Sequence, residues 1–286
     1  MPSTTRVRET WRSLRVAAWL GWQIESNWAD PFVFAIYSVI KPIAGALILV
    51  FMYAVIARDG LENPLFPAIF VGNAFFIYVP TVLSGISWSV IDDREHYGML
   101  KYMYTAPLNV FAYLAGRGIA KAVIASIALV ITLLLGIYAL RVPVVFASID
   151  WPMLAGAALC GAAILTFLGI ALGGVTLITA RHSYYVGEAV AGALYLLCGV
   201  VFPLDVLPAW VRWIGQAIPL TYWIEAIRRA LIGTGSSAIL ARLSDGALLA
   251  ITAGSALALA VLAFVVYRLA ERRARHLGLI DMQTMY

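Results

Sequence analysis

Charged side chains are scarce in this sequence, and two of them sit where charge is expensive. Lys41, followed by Pro42, lies nine residues into an apolar run that begins near residue 32, and Glu188 lies a few residues into another that begins near 184. A charge inside a membrane span costs roughly 2.5–3.5 kcal/mol on insertion scales, so each needs a reason to be there. Two reasons stand open. Lys41 and Glu188 pair, or together form a polar patch at the inner mouth of a pathway where the headgroup of an amphiphile first arrives. Alternatively, Lys41 snorkels to the inner interface while Glu188 bonds to Arg181 or to a backbone group.

A second set of chemistry-bearing residues lies between the second and third apolar runs, over 92–107. Asp92, Asp93 and Glu95 cluster at its start, as acids do at a helix N-terminus, and Leu100, Met103, Tyr104 and Pro107 recur at i, i+3, i+4 and i+7. The spacing predicts a short amphipathic helix that projects into the cytoplasm and docks its greasy face in a groove on a partner. Gly98 allows a close approach or a sharp bend at its edge.

The third set runs from Pro203 to about Gly233. Pro203, Pro208 and Pro219 prevent any single helix of spanning length, yet Trp210, Trp213, Tyr222 and Trp223 are the aromatics of a lipid–water boundary. A pair of short re-entrant or surface helices dipping into the outer leaflet is expected. Glu225, Arg228 and Arg229, spaced i, i+3 and i+4, staple the second of them or serve as a gate.

Soluble or metal-dependent catalysis finds little support. His96, His182 and His276 have no second ligand at metal spacing. There is no Gly-x-Ser-x-Gly elbow and no HExxH. A Walker A loop needs a Gly-Lys pair, and Lys41, Lys101 and Lys121 follow Ile, Leu and Ala. The chain therefore lacks a phosphate-binding loop of that type.

The elements that must position these residues are membrane helices. Of 286 residues 63% are hydrophobic and 12% charged, against about 25% charged in a soluble domain, and mean hydropathy is +0.90. The net charge of +5 would suit a nucleic-acid partner, but the positive residues flank apolar runs and the membrane reading wins. Six runs reach the roughly 20 residues that a hydrocarbon core requires: about 32–57, 65–90, 114–140, 153–180, 184–202 and 247–269. Asp30-Pro31, Asn63-Pro64 and Trp151-Pro152 punctuate them. With the N-terminus inside, Arg6, Arg8, Arg12, Arg15, Arg94, Lys101, Arg117, Lys121, Arg181, Arg268, Arg272, Arg273 and Arg275 face the cytoplasm. Arg58, Arg141, Arg212, Arg228, Arg229 and Arg242 face outward. The asymmetry puts both termini in the cytoplasm.

Residues 6–28 place Trp11, Leu14, Ala18 and Trp22 at helical spacing beside Arg8, Arg12 and Arg15, the pattern of an interfacial helix. Ala157, Gly161, Gly169 and Gly173 in the fourth run let helix backbones touch, within one subunit or between two. Cys160 and Cys198 lie in apolar runs and read as packing residues. The whole chain, 1–286, is a single all-α transmembrane domain on this reading.

In their order, these motifs resemble the permease subunits of ABC-2 type exporters. Glu95-x-x-Gly98-x-Leu100 followed by Pro107 is similar to that family's coupling-helix motif, with Lys101 where many members carry glutamate. Phe202–Pro208 and Pro219–Leu231 are similar to its re-entrant region before the last span. The resemblance implies a six-helix subunit that pairs with a second permease, identical or not, in the inner membrane. A separate ATP-binding cassette subunit would hold ATP and Mg and grip Glu95, Gly98, Leu100, Lys101, Tyr104 and Pro107. No cofactor is expected on this chain itself. A drug, lipid-linked or glycan cargo would move outward along a path touching Lys41 and Glu188, past a gate at Pro203, Pro208, Pro219, Glu225 and Arg228. A membrane-embedded lipid-modifying enzyme and an ion-coupled carrier are the competing classes. The carrier would show midplane charges and inverted repeats, and neither is clear in the sequence.

Overall fold

The computed structural model describes residues 3–27, 30–56, 62–106, 108–179 and 185–280, and among them the regular structure is entirely helical. Among the described residues four helices are long and apolar enough to cross a membrane: Phe66–Glu95, α6 (Val110–Tyr138), α7 (Trp151–Ile178) and α11 (Asp245–His276). The first of these joins α3 (Phe66–Phe76) to α4 (Gly85–Glu95) through a π-helical turn at Val79–Ser84. Ahead of them run α1 (Ser3–Asn27) and α2 (Pro31–Ile56), the latter with Pro42 inside it.

Side-chain caps, or in the case of Asn63 a turn just before the helix, stand where the sequence places its punctuation. Asp30 accepts from the Phe32 amide at 2.9 Å and Asn63 from the Leu65 amide at 2.9 Å. Asn109 caps α6, Asp150 caps α7 and Ser244 caps α11, each accepting an amide of the first turn. Such caps satisfy donors that the helix itself leaves unpaired.

The fifth apolar run departs from a simple span. α8 (Val186–Leu197) has 12 residues, about 18 Å at 1.5 Å per residue and well short of a hydrocarbon core. Continuous hydropathy hides the stop: Gly199 takes a positive φ of 69°, and the chain turns away before Phe202. Beyond it lie a 3-10 turn at Leu204–Val206, α9 (Ala209–Ala217) and α10 (Pro219–Ile232). Two short helices over 203–233 are as the prolines require, though α10 is buried along most of its length rather than resting at a surface.

α7 is the central post, with α11, α4 and α10 packed around it. Its small residues serve contacts within this chain. The Trp223 indole fills the space where a Cβ at position 161 would be, so only glycine lets α10 come this close. Ala157 and Ile164 are buried on the same side. Helix α1 lies along the first half of α6 through Leu14, Ala17 and Ala18 against Gly116. Trp11 and Trp19 are exposed, so Leu14 and Ala18 of the expected stripe, joined by Ala17, form the seam rather than Trp11. Both cysteines are free.

Candidate functional site

At one end of the molecule the last turn of α4 is the foundation. Asp93, Arg94 and Glu95 are buried there, with Arg117 of α6 beside them. The acids thus close a helix instead of opening one, and specific partners rather than a helix dipole hold them. The Tyr113 hydroxyl donates to Asp93 Oδ2 at 2.9 Å, and the Asp93 carbonyl accepts the Met99 amide at 2.8 Å. Arg94 Nε donates to Glu95 Oε1 at 2.8 Å and Arg94 Nη1 to the Thr176 carbonyl at 3.3 Å. Arg117 Nε donates to Ser89 Oγ at 3.2 Å. These bonds tie α4 to α6 and α7 at one level.

The chain then reverses through Gly98, whose φ of 58° is a conformation that side chains disfavour. It enters α5 (Leu100–Thr105), a helix of six residues. Leu100 is buried, and Met103 and Tyr104 pack against the core. The Tyr104 hydroxyl shares a hydrogen bond of 3.0 Å with that of Tyr267 on α11, and the Arg275 guanidinium lies 4.9 Å from the Tyr104 ring centre. Burial pushes the Tyr104 phenol up to about 12, so it stays protonated at neutral pH. The greasy face that spacing marks for an outside groove is therefore consumed by the chain's own body. What α5 leaves for a partner is the other edge: Tyr97 at 49% exposure, Tyr102 at 66%, and exposed Lys101, its ammonium 5.3 Å from the Tyr102 ring. Pro107 lies outside the described residues.

Above this end a groove of about 710 Å³ runs between α1, α2, the Phe66–Glu95 helix, α6 and α8. Glu188, in the first turn of α8, lines it together with Pro42, Asn73, Trp88, Tyr195 and the ion pair of Glu25 with Lys121. The π turn contributes Pro80, Thr81 and Ser84 to the same wall; such turns often accompany functional positions. Tyr195 donates to Asn73 Oδ1 at 2.8 Å, while the buried Ser84 Oγ has no partner among the described residues. Lys41 falls within α2, but its side chain lies outside the described ones, as do Arg181 and His182. The Lys41–Glu188 pair and the Glu188–Arg181 bond therefore fall outside the described structure.

The opposite end is closed by α10. Pro203 precedes the 3-10 turn, Pro208 precedes α9 and Pro219 opens α10. Buried Arg228 donates to the Ala68 carbonyl at 2.7 Å, to Ser236 Oγ at 2.6 Å, and to the Gly199 and Val200 carbonyls at 2.9 and 3.1 Å. Glu225, also buried, lies 3.8 Å from Arg228 and 3.6 Å from Arg229. Arg229 reaches the Leu240 and Leu243 carbonyls at 2.6 and 2.7 Å and Asp245 at 3.0 Å. The trio does more than brace its own helix: it ties α3, the turn after α8 and the start of α11 together. Trp210 and Trp213 are exposed as boundary aromatics, but Trp223 is not one of them; it is 2% exposed in the core. Asp245 precedes Tyr267 on α11 by 22 residues, about 33 Å along a helix axis, so the two ends face opposite ways.

Sequence reasoning passes over the Asp93–Tyr113–Arg117 cluster. Its signal is present: Arg117 and Lys121, four apart and inside an apolar run, are charges with no reason to be there unless partnered. Counted only toward topology, they give no hint of Asp93 or Glu25. Tyr267 and Arg275 carry no sequence signal, because only the fold brings α11 against α5. Residues 14–232, from α1 through α10, match a family model described as ABC-2 type transporter. Comparison with curated proteins returned no match.

Proposed function

From the premise that this chain belongs to the ABC-2 type transporter family, we propose that it is the permease subunit of an ATP-driven exporter. On this reading it crosses the inner membrane six times, the fifth crossing being short α8 completed by the outer cap beyond it, with both termini in the cytoplasm, and it pairs with a second permease, identical or not. A separate ATP-binding cassette subunit holds ATP and Mg and supplies the energy. The cargo is hydrophobic, lipid-linked or glycan and moves outward.

The observation that carries this reading is the hairpin over 95–105, an exposed edge mounted on buried charges. Force applied to Tyr97, Lys101 and Tyr102 passes into α4 through the Met99 amide on the Asp93 carbonyl, and into α11 through the Tyr104–Tyr267 bond. Glu95, Leu100 and Tyr104 act as the mount, and Gly98 is the bend that sets the angle. Because α4 is continuous with the π turn, moving the hairpin moves Ser84 in the groove wall. There a headgroup meets Glu188, Ser84 and the neighbouring polar groups, while Ile48, Phe76 and Trp88 receive its apolar part. The outer cap, with Pro203, Pro208, Pro219, Glu225 and Arg228, is the gate through which cargo leaves.

Reconstitution with the cognate ATP-binding subunit tests this. ATP hydrolysis is expected to rise when the permease is present, and Tyr102→Ala together with Lys101→Glu is expected to abolish most of that rise without loss of folded protein. Transport by the purified chain alone would sink the reading. So would labelling of a cysteine placed at Tyr102, in a chain freed of Cys160 and Cys198, by an impermeant thiol reagent from the outer face.

A further inference from the structure

Along one face of α11, Ala260, Phe264, Arg268, Glu271 and Arg275 follow at steps of three or four residues, apolar first and charged afterwards. They form one wall of a pocket of about 610 Å³, whose other walls come from the start of α1, from α5 and from the first turns of α6, with α7 behind. Its depth is greasy, with Phe111, Phe167 and Ile170. Its rim is charged. Arg275 pairs with Glu271 and covers the Tyr104 ring, so these two charges offset each other. That leaves Arg268 as the surplus positive charge. Its guanidinium is held over aromatic faces, 5.2 Å from the Phe264 centroid and 5.9 Å from that of Phe111, and no hydrogen bond or ion pair engages it among the described residues.

A guanidinium with its donors unspent, directly above an apolar trough aligned with a membrane helix, is complementary to one kind of molecule. The phosphodiester of an anionic phospholipid accepts from the guanidinium fork, and its acyl chain lies against Ala260 and Phe264. Leaflets that carry anionic lipid draw such positive groups. We propose that this pocket holds one anionic phospholipid from the leaflet on the side of the 92–106 hairpin. The bound lipid spans from α11 to Met103 and Tyr104, both of which line the pocket, and so braces the mount of the hairpin.

The test is lipid binding by the full chain in phosphatidylcholine nanodiscs, titrated with phosphatidylglycerol and read by native mass spectrometry. Phosphatidylglycerol is expected to bind in preference to phosphatidylcholine, Arg268→Gln to weaken it about fivefold, and Arg268→Lys to keep most of the affinity. Arg272→Gln, an exposed neighbour that does not line the pocket, is expected to leave binding unchanged, and inorganic phosphate is expected not to compete. Equal binding of the two lipids, no effect of Arg268→Gln, or an equal loss with Arg272→Gln would each overturn the proposal. Displacement by inorganic phosphate would reassign the pocket to a soluble anion and overturn it too. The readout needs no partner subunit and no cargo, so it stands or falls apart from the transport reading.

Discussion

The hairpin end and the outer cap both bury arginines, and they use them in different ways. At the hairpin, Arg94 and Arg117 meet the Glu95 and Ser89 side chains, with Tyr113 completing the cluster on Asp93, and the carbonyls that Arg94 reaches, those of Thr176 and Leu177, belong to one helix, α7. At the cap, Arg228 spends three of its four bonds on backbone carbonyls from two separate stretches, and Arg229 adds two more from a third. Bonds that join α4 to its two neighbouring helices at a single level leave the hairpin free to shift together with the end of that bundle. A guanidinium bonded to carbonyls of several segments pins those segments to one another. The surfaces agree with this contrast: the hairpin turns a polar, aromatic edge outward, while the cap exposes a largely apolar surface, with Phe202, Val206, Trp210, Trp213 and Ile214, beyond its pinned interior. One end is shaped to be handled, the other to hold.

Breaking the cap should have the largest effect. Arg228→Leu leaves Glu225 buried beside fewer donors and releases carbonyls of α3 and the turn after α8, a loss of about 3–5 kcal/mol. The yield of monodisperse protein and its thermal midpoint should both fall, and an unchanged midpoint would refute the pinning argument. Tyr113→Phe at the hairpin end removes one donor from buried Asp93 at a cost of about 1–3 kcal/mol, so its midpoint should fall less than that of the Arg228 variant. Gly98→Ala asks an L-residue to take a left-handed conformation, roughly 1–2 kcal/mol of local strain. The bend should shift instead of the fold failing, so ATPase stimulation should drop while the midpoint moves little. Smallest in stability is Lys101→Glu, within about 0.5 kcal/mol for an exposed site; its effect should appear in partner stimulation alone, and a matching fall in midpoint would blur the contrast drawn above.

The membrane-length apolar helices, several helix starts and the proline-broken stretch after α8 were legible because hydropathy, Asx residues and prolines act locally. Asn63, Asp150 and Pro219 each do in the structure what their types dictate. Facing was harder to read. Leu100, Met103 and Tyr104 form a stripe in either case, and periodicity does not say whether a partner or α11 covers it. Trp223 has the composition of a boundary residue, and only Gly161, some 60 positions earlier, makes room for it in the core. The fifth run reads as one span because a glycine turn inside an apolar stretch leaves hydropathy unchanged. Glu188 was found by its cost in an apolar environment, whereas Ser84, which shares its groove, is too small and common a residue to draw notice.

The π turn at Val79–Ser84 sets the rotational phase of everything after it. Removing one residue there would shorten the helix by only about 1.5 Å but would turn α4 by roughly 100° about its axis. Ser89 and Asp93 would then swing away from Arg117 and Tyr113, and the charged end of the helix would face acyl chains. A single-residue deletion in that turn, which itself makes none of the hairpin's bonds, is thus equivalent to unplugging the whole hairpin mount at once.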